Sequence, residues 1–463
     1  DYMKRYPYSC LEQKASIAVA LGDETLWKQT MAKLPAHLDA NGLVRFFPFS
    51  FLCGSPTLTA YLLAVGHEAG WQIPDAAKDQ MQQGLKNFIG GKYTCASSFS
   101  AADLSIRKLS AIEALSRENK ASASMLGSIS MEPNLWPTSA VIDWRNILRN
   151  ISDIPKRDSR IKEAEQILRA RMNFQGTTMG FSTERTDRLW WLMVSADVNA
   201  VRALLSLLKE EAWKEDIPRL AQGALARQKR GHWDLTTANA WGVLAMNKFS
   251  RTFEALPVEG QTVSTLNGQT RTLHWNTDPK GKSELFAWPK KSSVISVAHT
   301  GAGKPWLTVS ALAAIPLKKP ISSGYRIKKT ISAVSQKQAN RWSKGDVLRV
   351  RLDLEAQADQ TWVVVNDPVP AGSTILGGGL GRDSQILTSG EKKEGRVWPA
   401  FEERSFESFR AYYEFVPKGN WRVEYTVRLN ASGTFHLPAT RVEAMYFPEM
   451  LGEWPNAAVT VAP

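Results

Sequence analysis

At 463 residues, with 43% hydrophobic and 22% charged content, the chain is too long for one ordinary domain and too apolar to be disordered; about two to four globular units are predicted. The formal net charge of +13 is dispersed, with Lys and Arg interleaved with Asp and Glu as in "KEDIPRLAQGALARQKR" and gathered only in pairs such as Lys290-Lys291 and Lys328-Lys329. This pattern excludes a concentrated nucleic-acid footprint and leaves a solvated basic surface with a weak attraction for anionic envelopes. No apolar run approaches a transmembrane length. The chain opens at Asp1 without a charged and then apolar leader, so any export signal is expected upstream and the chain reads as a fragment or processed product.

In chain order, the first predicted element follows "YPYSCLEQKAS" (Tyr6–Ser16), where Pro7 is suited to a first helical turn. Apolar residues then recur at three- and four-residue spacing in Leu58–Val65, Ile161–Met172, Leu189–Leu208 and Ala238–Phe249. The stretches "GLVRFFPFSFLCGSPTLTAYLLAV", "GTTMGFSTERTDRLWWLMVS" and "GHWDLTTANAWGVLAM" share a layout of Gly, aromatic, polar turn and aromatic-rich helix. Such a degenerate repeat predicts stacked helical hairpins closing into an α/α toroid over residues 1 to about 250. After Phe249, "GQTRTLHWN", "SSVISVAHT" and "PWLTVSALAAIPL" read as strands, and "DVLRVRLDLEA" and "WRVEYTVRLN" alternate with period two, as half-buried antiparallel sandwich strands do. "PLKKPISSGYRIKK" is the candidate linker, dividing the β region into 251–320 and 321–463.

Three cysteines, Cys10, Cys53 and Cys95, carry no metal-ligand spacing, so neither a metal nor a cofactor is expected. In an exported protein Cys53 and Cys95 are the candidate disulfide and Cys10 the unpaired thiol; the alternative is three buried inert thiols. Cys10 and Gln13 fall at i and i+3, on one face of a helix N-terminus, with Glu12 between them. Backbone N–H groups and the helix dipole there are expected to lower the thiol's pKa. A thiolate against a carboxamide can displace ammonia and store an acyl group as an internal thioester. Such a bond needs apolar cover against water, for which Tyr6, Tyr8 and the loop "RFFPFSF" are candidates.

The motif CLEQ within YPYSCLEQ, the helical repeat ending in "GHWDLTTANAWGVLAM" and the closing "RVEAMYFPEMLG" together resemble the α2-macroglobulin family, its bacterial members in particular. The resemblance covers nearly the whole chain and implies a thioester domain over 1–250, the returning part of a CUB-like β domain over 251–320 and a C-terminal macroglobulin-like, receptor-binding-like β-sandwich over 321–463. It implies a broad-spectrum protease trap, not an enzyme that turns over, in which bait cleavage exposes the thioester and a lysine amine of the attacking protease is acylated by the Gln13 carbonyl. The bait and the N-terminal macroglobulin domains would lie outside this chain. It further implies a periplasmic location, an inner-membrane anchor through an absent N-terminal lipid, a peptidoglycan synthase as partner, and a C-terminal tyrosine over the thioester. Tyr446 is the first candidate for that tyrosine, and the pair Tyr412-Tyr413 the second. Relatives that acylate hydroxyls use a histidine about a hundred residues past the motif. Here "NKASASMLGSISMEPNLWPTS" occupies that region, and no histidine lies between His67 and His232, which favours direct attack by amines.

Two other readings compete. The 17 tryptophans and the acids Asp103, Glu113, Asp143, Asp187 and Asp234 suit a toroid carbohydrate-active enzyme. A non-reactive envelope scaffold would carry CLEQ as a vestige. An intact thioester separates the first reading from both.

Overall fold

The computed structural model describes residues 2–93, 103–182, 189–254, 256–311, 313, 315–377, 387–391 and 397–463. They form two compact units, Asp1–Leu244 with Ala314–Pro463, and Ala245–Ala313. The helices of the first region are α1 (Leu11–Leu21), α2 (Glu24–Ala32), α3 (Leu34–His37), α4 (Pro56–Ala69), α5 (Asp75–Ile89), α6 (Leu104–Ser116), α7 (Thr138–Asn150), α8 (Arg157–Ala170), α9 (Ala196–Leu207), α10 (Ile217–Ala226) and α11 (Thr236–Phe253).

Their boundaries follow local chemistry. Ser55 accepts from Leu58 N–H at 3.2 Å ahead of Pro56 at the start of α4, and Ser195 accepts from Val198 N–H at 3.1 Å to begin α9. Gly22 ends α1 at a φ of +66°, a left-handed conformation that suits glycine. In α4 every residue from Leu58 to Gly66 is buried, whereas α8 buries only Ile161, Ala164, Ile167 and Leu168. That contrast separates an inner from an outer layer. Inner helices pack in sequence, α1 on α4, α4 on α6, α6 on α7 and α7 on α9, while α2, α5, α8 and α10 cover them from outside. Thr236 at the start of α11 hydrogen-bonds Glu12 of α1, closing the ring. The α/α toroid read from the sequence is present.

Three local expectations are corrected. Pro7 does not start a helix: Met3–Arg5 is a 3-10 turn, the chain runs extended to Cys10, and α1 begins at Leu11. Leu189–Leu208 is not one helix; Trp190–Leu192 is a 3-10 turn, Met193 sits at a φ of +57°, and Ser195 starts the helix afresh. The glycine-rich "GTTMGF" lies in a hairpin of β1 (Met172–Gln175) and β2 (Thr178–Phe181), which turns at Gly176, φ +61°.

The unit Ala245–Ala313 carries an antiparallel sheet ordered β4-β3-β5, from β3 (Gln261–Leu266), β4 (Gln269–His274) and β5 (Ser296–Thr300). "PWLTVSALAAIPL" was expected to be a strand, yet residues 305–311 pair with no strand among the described residues, and Trp306, Leu307 and Val309 are exposed, without the burial that would favour a sheet.

The C-terminal region has β6 (Ile321–Ser323), β7 (Tyr325–Ser335), β8 (Trp342–Ser343), β9 (Val347–Ala356), β10 (Gln360–Pro368), β11 (Thr374–Ile375), β12 (Phe401–Arg404), β13 (Ser408–Val416), β14 (Gly419–Arg428), β15 (Gly433–Phe435), β16 (Thr440–Ala444), β17 (Leu451–Trp454) and β18 (Val459–Ala462). They form sheets ordered β12-β13-β10-β16-β17-β6 and β11-β14-β9-β7, with a small third sheet β15-β18-β8. The alternation holds: Leu348, Val350, Leu352 and Leu354 of β9 and Trp421, Val423, Tyr425 and Val427 of β14 face a core shared with Val363 and Val365 of β10. The latter half of the expected linker, from Ile321, is strand. Adjacent residues of one strand serve opposite faces, so β13 and the turn after β16 can carry side chains away from the sandwich core toward the toroid.

Candidate functional site

Cys10 is the N-cap of α1, and Gln13 is the third helical residue. The Cys10 N–H donates to Gln13 Oε1 at 3.0 Å, and the Gln13 backbone N–H turns toward the Cys10 sulfur. This is a capping box with cysteine in place of serine. The helix start therefore holds a sulfur against a carboxamide by its own hydrogen-bonding requirement. Cys10, Glu12, Gln13 and Ser16 are all 0% exposed.

Burial decides the electrostatics. The Cys10 thiol is pushed well above its usual pKa, first by desolvation and then by the Glu12 carboxylate, and the N–H groups of Gln13 and Glu12 only partly offset this. The expectation of a lowered thiol pKa is thus overturned, because a charge at a helix N-terminus gains less than it loses by leaving water. A neutral thioester carries no such penalty. The pocket that disfavours a thiolate tolerates an acylated sulfur.

Glu12 is likewise raised by burial and held by three hydroxyls: Ser16 Oγ donates at 2.5 Å, Thr236 Oγ1 at 2.8 Å and Tyr446 OH at 2.8 Å. These donors come from α1, α11 and the segment after β16. Gln13 Nε2 donates to Tyr6 OH and lies against Met445 Sδ, each at 3.2 Å. Tyr8 meets Tyr6 edge to face at 5.5 Å and Tyr412 at 6.4 Å, and its hydroxyl reaches Glu443 at 3.5 Å.

The "RFFPFSF" loop lies over the same site. Leu11 N–H donates to Phe46 O at 3.0 Å. Phe46 packs on Trp362 at 4.2 Å and Phe47 on Tyr412 at 5.0 Å. Trp362 is held at a φ of +50°, costly for a bulky side chain, and its carbonyl accepts from Met445 N–H at 2.9 Å.

The structure thus brings Cys10, Glu12, Gln13, Tyr6, Tyr8 and Tyr446 together, with Tyr412 beside them. Tyr413, the next residue of β13, turns to the sandwich core and meets Trp421 at 6.2 Å. Cys53 is disulfide-bonded, and Cys95 lies outside the described residues. His232 Nδ1 pairs with Trp233 O at 2.7 Å and its ring stacks on Tyr2 at 3.6 Å, a satisfied side chain one tyrosine removed from Tyr6. Sequence reasoning missed Met445, Trp362, Glu443, Tyr61 and Thr236, which reach the site through tertiary packing. Ser16, four residues past Glu12 on one helical face, was readable from spacing.

The acids proposed for sugar chemistry are otherwise engaged. Asp103 pairs with Arg107 at 2.8 Å, Glu113 with Arg117 at 2.6 Å and Asp143 with Arg202 at 2.6 Å. Asp234 accepts from Ser195 Oγ at 2.8 Å, and Asp187 lies outside the described residues. Among the described residues no group of three His, Cys, Asp or Glu could hold a metal, and no helix is long and apolar enough to cross a membrane.

Residues 324–449 match the family model described as the bacterial α2-macroglobulin MG10 domain. An α2-macroglobulin homolog of Nostoc sp. is 23% identical over 284 residues, which is 57% of this chain and 14% of that relative's length. Native α2-macroglobulin from Escherichia coli, solved from domain MG7 to the C-terminus, is similar over 100% of this chain and 74% of that chain, with a TM-score of 0.69 and 16% identity. Salmonella α2-macroglobulin reacted with methylamine is similar over 100% of this chain and 30% of that chain, with a TM-score of 0.68 and 18% identity.

Proposed function

We propose, from the match of residues 324–449 to the bacterial α2-macroglobulin MG10 domain and the similarity to an α2-macroglobulin homolog, that the chain is the reactive C-terminal part of a protease trap of that family whose Cys10 and Gln13 form an internal thioester. The observation that carries this reading is the Cys10–Gln13 capping box at 0% exposure, a sulfur and a carboxamide paired beneath aromatic cover. In the forming step Cys10 sulfur adds to the Gln13 side-chain carbonyl carbon, the C–N bond breaks and ammonia leaves. In the spending step an amine nitrogen attacks that carbon, the C–S bond breaks, and the amine's proton passes to sulfur. The products are an amide on the Gln13 carbonyl and a free Cys10 thiol.

Each molecule reacts once, so the protein is an inhibitor rather than a turning-over enzyme. The amine is a lysine of a captured protease, with no histidine relay needed to reach it. On this reading the bait and the N-terminal macroglobulin domains belong to the remainder of a longer protein, for which we propose a periplasmic location, an N-terminal lipid anchor and a peptidoglycan synthase partner. The test is the intact mass of native protein with and without methylamine, and a map of the peptide Tyr6–Ser16. A mass short by one ammonia, with methylamine gained at Gln13 and a thiol released at Cys10, is expected. An unmodified Gln13 amide beside a free Cys10 thiol in fresh protein would sink the trap and favour the scaffold reading.

A further inference from the structure

A second site lies inside the helical ring and adjoins the Glu12 network through Tyr61, whose hydroxyl meets Ser16 Oγ at 2.6 Å. The cavity, of about 60 Å³, is walled by Tyr61 of α4, Glu113 of α6, Ser139 and Asp143 of α7, Arg202 of α9 and Trp241 of α11. It has room for about two waters. Ser139 and Asp143, at i and i+4, share one face of α7. Ser139 Oγ is buried with no hydrogen-bond partner, on a residue 2% exposed. A buried orphan that lines a cavity calls for an occupant to satisfy it.

The two carboxylates are half-used in the same sense. Glu113 takes Arg117, and Asn146 Nδ2 at 2.9 Å, on Oε1 alone, and Asp143 takes Arg202 on Oδ1 alone. Among the described residues no hydrogen bond reaches Glu113 Oε2 or Asp143 Oδ2. Two carboxylate oxygens and the Ser139 hydroxyl thus line the cavity with acceptor capacity to spare. Its guanidiniums are each paired with a carboxylate, Arg202 with Asp143 and Arg107 with Asp103. The described residues hold no cluster fit for a metal. Trp241 already has Arg117 at 5.6 Å and Arg202 at 5.5 Å from its ring, a π-face placed among cations.

We infer that this cavity binds a small primary ammonium ion, either ammonium itself or a short alkylammonium. A primary ammonium brings three N–H donors, one each for Glu113 Oε2, Asp143 Oδ2 and Ser139 Oγ. Burial and Glu113 push the Asp143 carboxyl up to about 6, and a cation beside it would relieve both. Water alone supplies donors without the charge.

The test uses the full chain carrying Cys10→Ala, so that amine consumption by a thioester cannot imitate binding and failure of the thioester reading leaves the result intact. Calorimetric titrations with ammonium chloride and methylammonium chloride, against a sodium chloride blank, should give saturable binding, and tetramethylammonium, which has no N–H, should give none. Ser139→Ala removes only an orphan hydroxyl and should leave the fold intact, while weakening methylammonium at least tenfold. The Trp241 indole resonance, in tryptophan-labelled protein and assigned by Trp241→Phe, should move on binding. No saturable binding beyond the blank, equal binding of tetramethylammonium, undiminished affinity in Ser139→Ala, or a shift confined to other tryptophans would overturn the inference.

Discussion

Glu12 is a carboxylate buried at 0% exposure whose direct partners are hydroxyls rather than a cation. A buried charge so held depends on each donor, and a hydrogen bond to a charged group contributes about 1.5–3 kcal/mol. Tyr446→Phe deletes the donor from the C-terminal domain while keeping the ring near Phe46. Its expected result is a lower Tm and thiol release by methylamine about tenfold faster, since about 1.4 kcal/mol of lost closure is a tenfold effect. Timed thiol titration checks it; an unchanged rate would reduce Tyr446 to a packing residue. A second test at this scale concerns Asp234, pushed up to about 7 by burial and by Asp197. Because this acid is raised on folding, the stability it contributes is present below the ordinary aspartate range and is lost as pH rises through about 7. Asp234→Asn should therefore flatten the fall in Tm between pH 4 and pH 8, as thermal melts across that range would show. An equal slope in both proteins would contradict the assignment.

Among the elements, α11 is fixed by a glycine that no turn requires. A Cβ on Gly242 would lie 2.3 Å from the Trp233 ring, whose indole N–H donates to Ala224 O at 2.8 Å. Neither neighbour can give way, so Gly242→Ala should cost about 1–3 kcal/mol as overpacking, read as a lower denaturation midpoint. Wild-type stability would show that the ring can move. Elements such as this were legible where one rule dominated. Period two marked β9 and β14 because one face of each is apolar along its length, and the apolar spacing of Leu58–Val65 marked α4. Legibility ended where tertiary context overrides local pattern. The β1–β2 hairpin is short and packs on α10, and apolar Trp306–Val309 look strand-like in sequence without a partner strand among the described residues. At the site the reacting pair was readable, since helix geometry joins i and i+3. Met445 and Trp362 were not, because more than three hundred residues separate them from Gln13 and only the folded chain brings them there.

Taken whole, the unit of Asp1–Leu244 and Ala314–Pro463 closes its reactive pocket with parts from both ends of the sequence. Trp362 is where that closure is most exposed to attack by mutation, being 5% exposed, packed against Phe46 and held at an unfavourable φ of +50°. Trp362→Ala loses the packing of a buried tryptophan, about 3–5 kcal/mol, and regains part of the strain. Its expected signature is a large rise in spontaneous thiol release with near-native far-ultraviolet circular dichroism. Unchanged release would show that the loop Phe46–Phe49 alone keeps water out.

The capping box of α1 has one more implication. On the proposed chemistry, bond formation between Cys10 and Gln13 turns a hydrogen-bonded helix start into a covalent ring, and spending the bond returns the first turn to a cap of ordinary strength. The amides of Leu11 to Lys14 would then keep a record of each molecule's past, slow to exchange deuterium before capture and faster afterwards. A single peptide could date the event in a mixed population, independently of what had been caught.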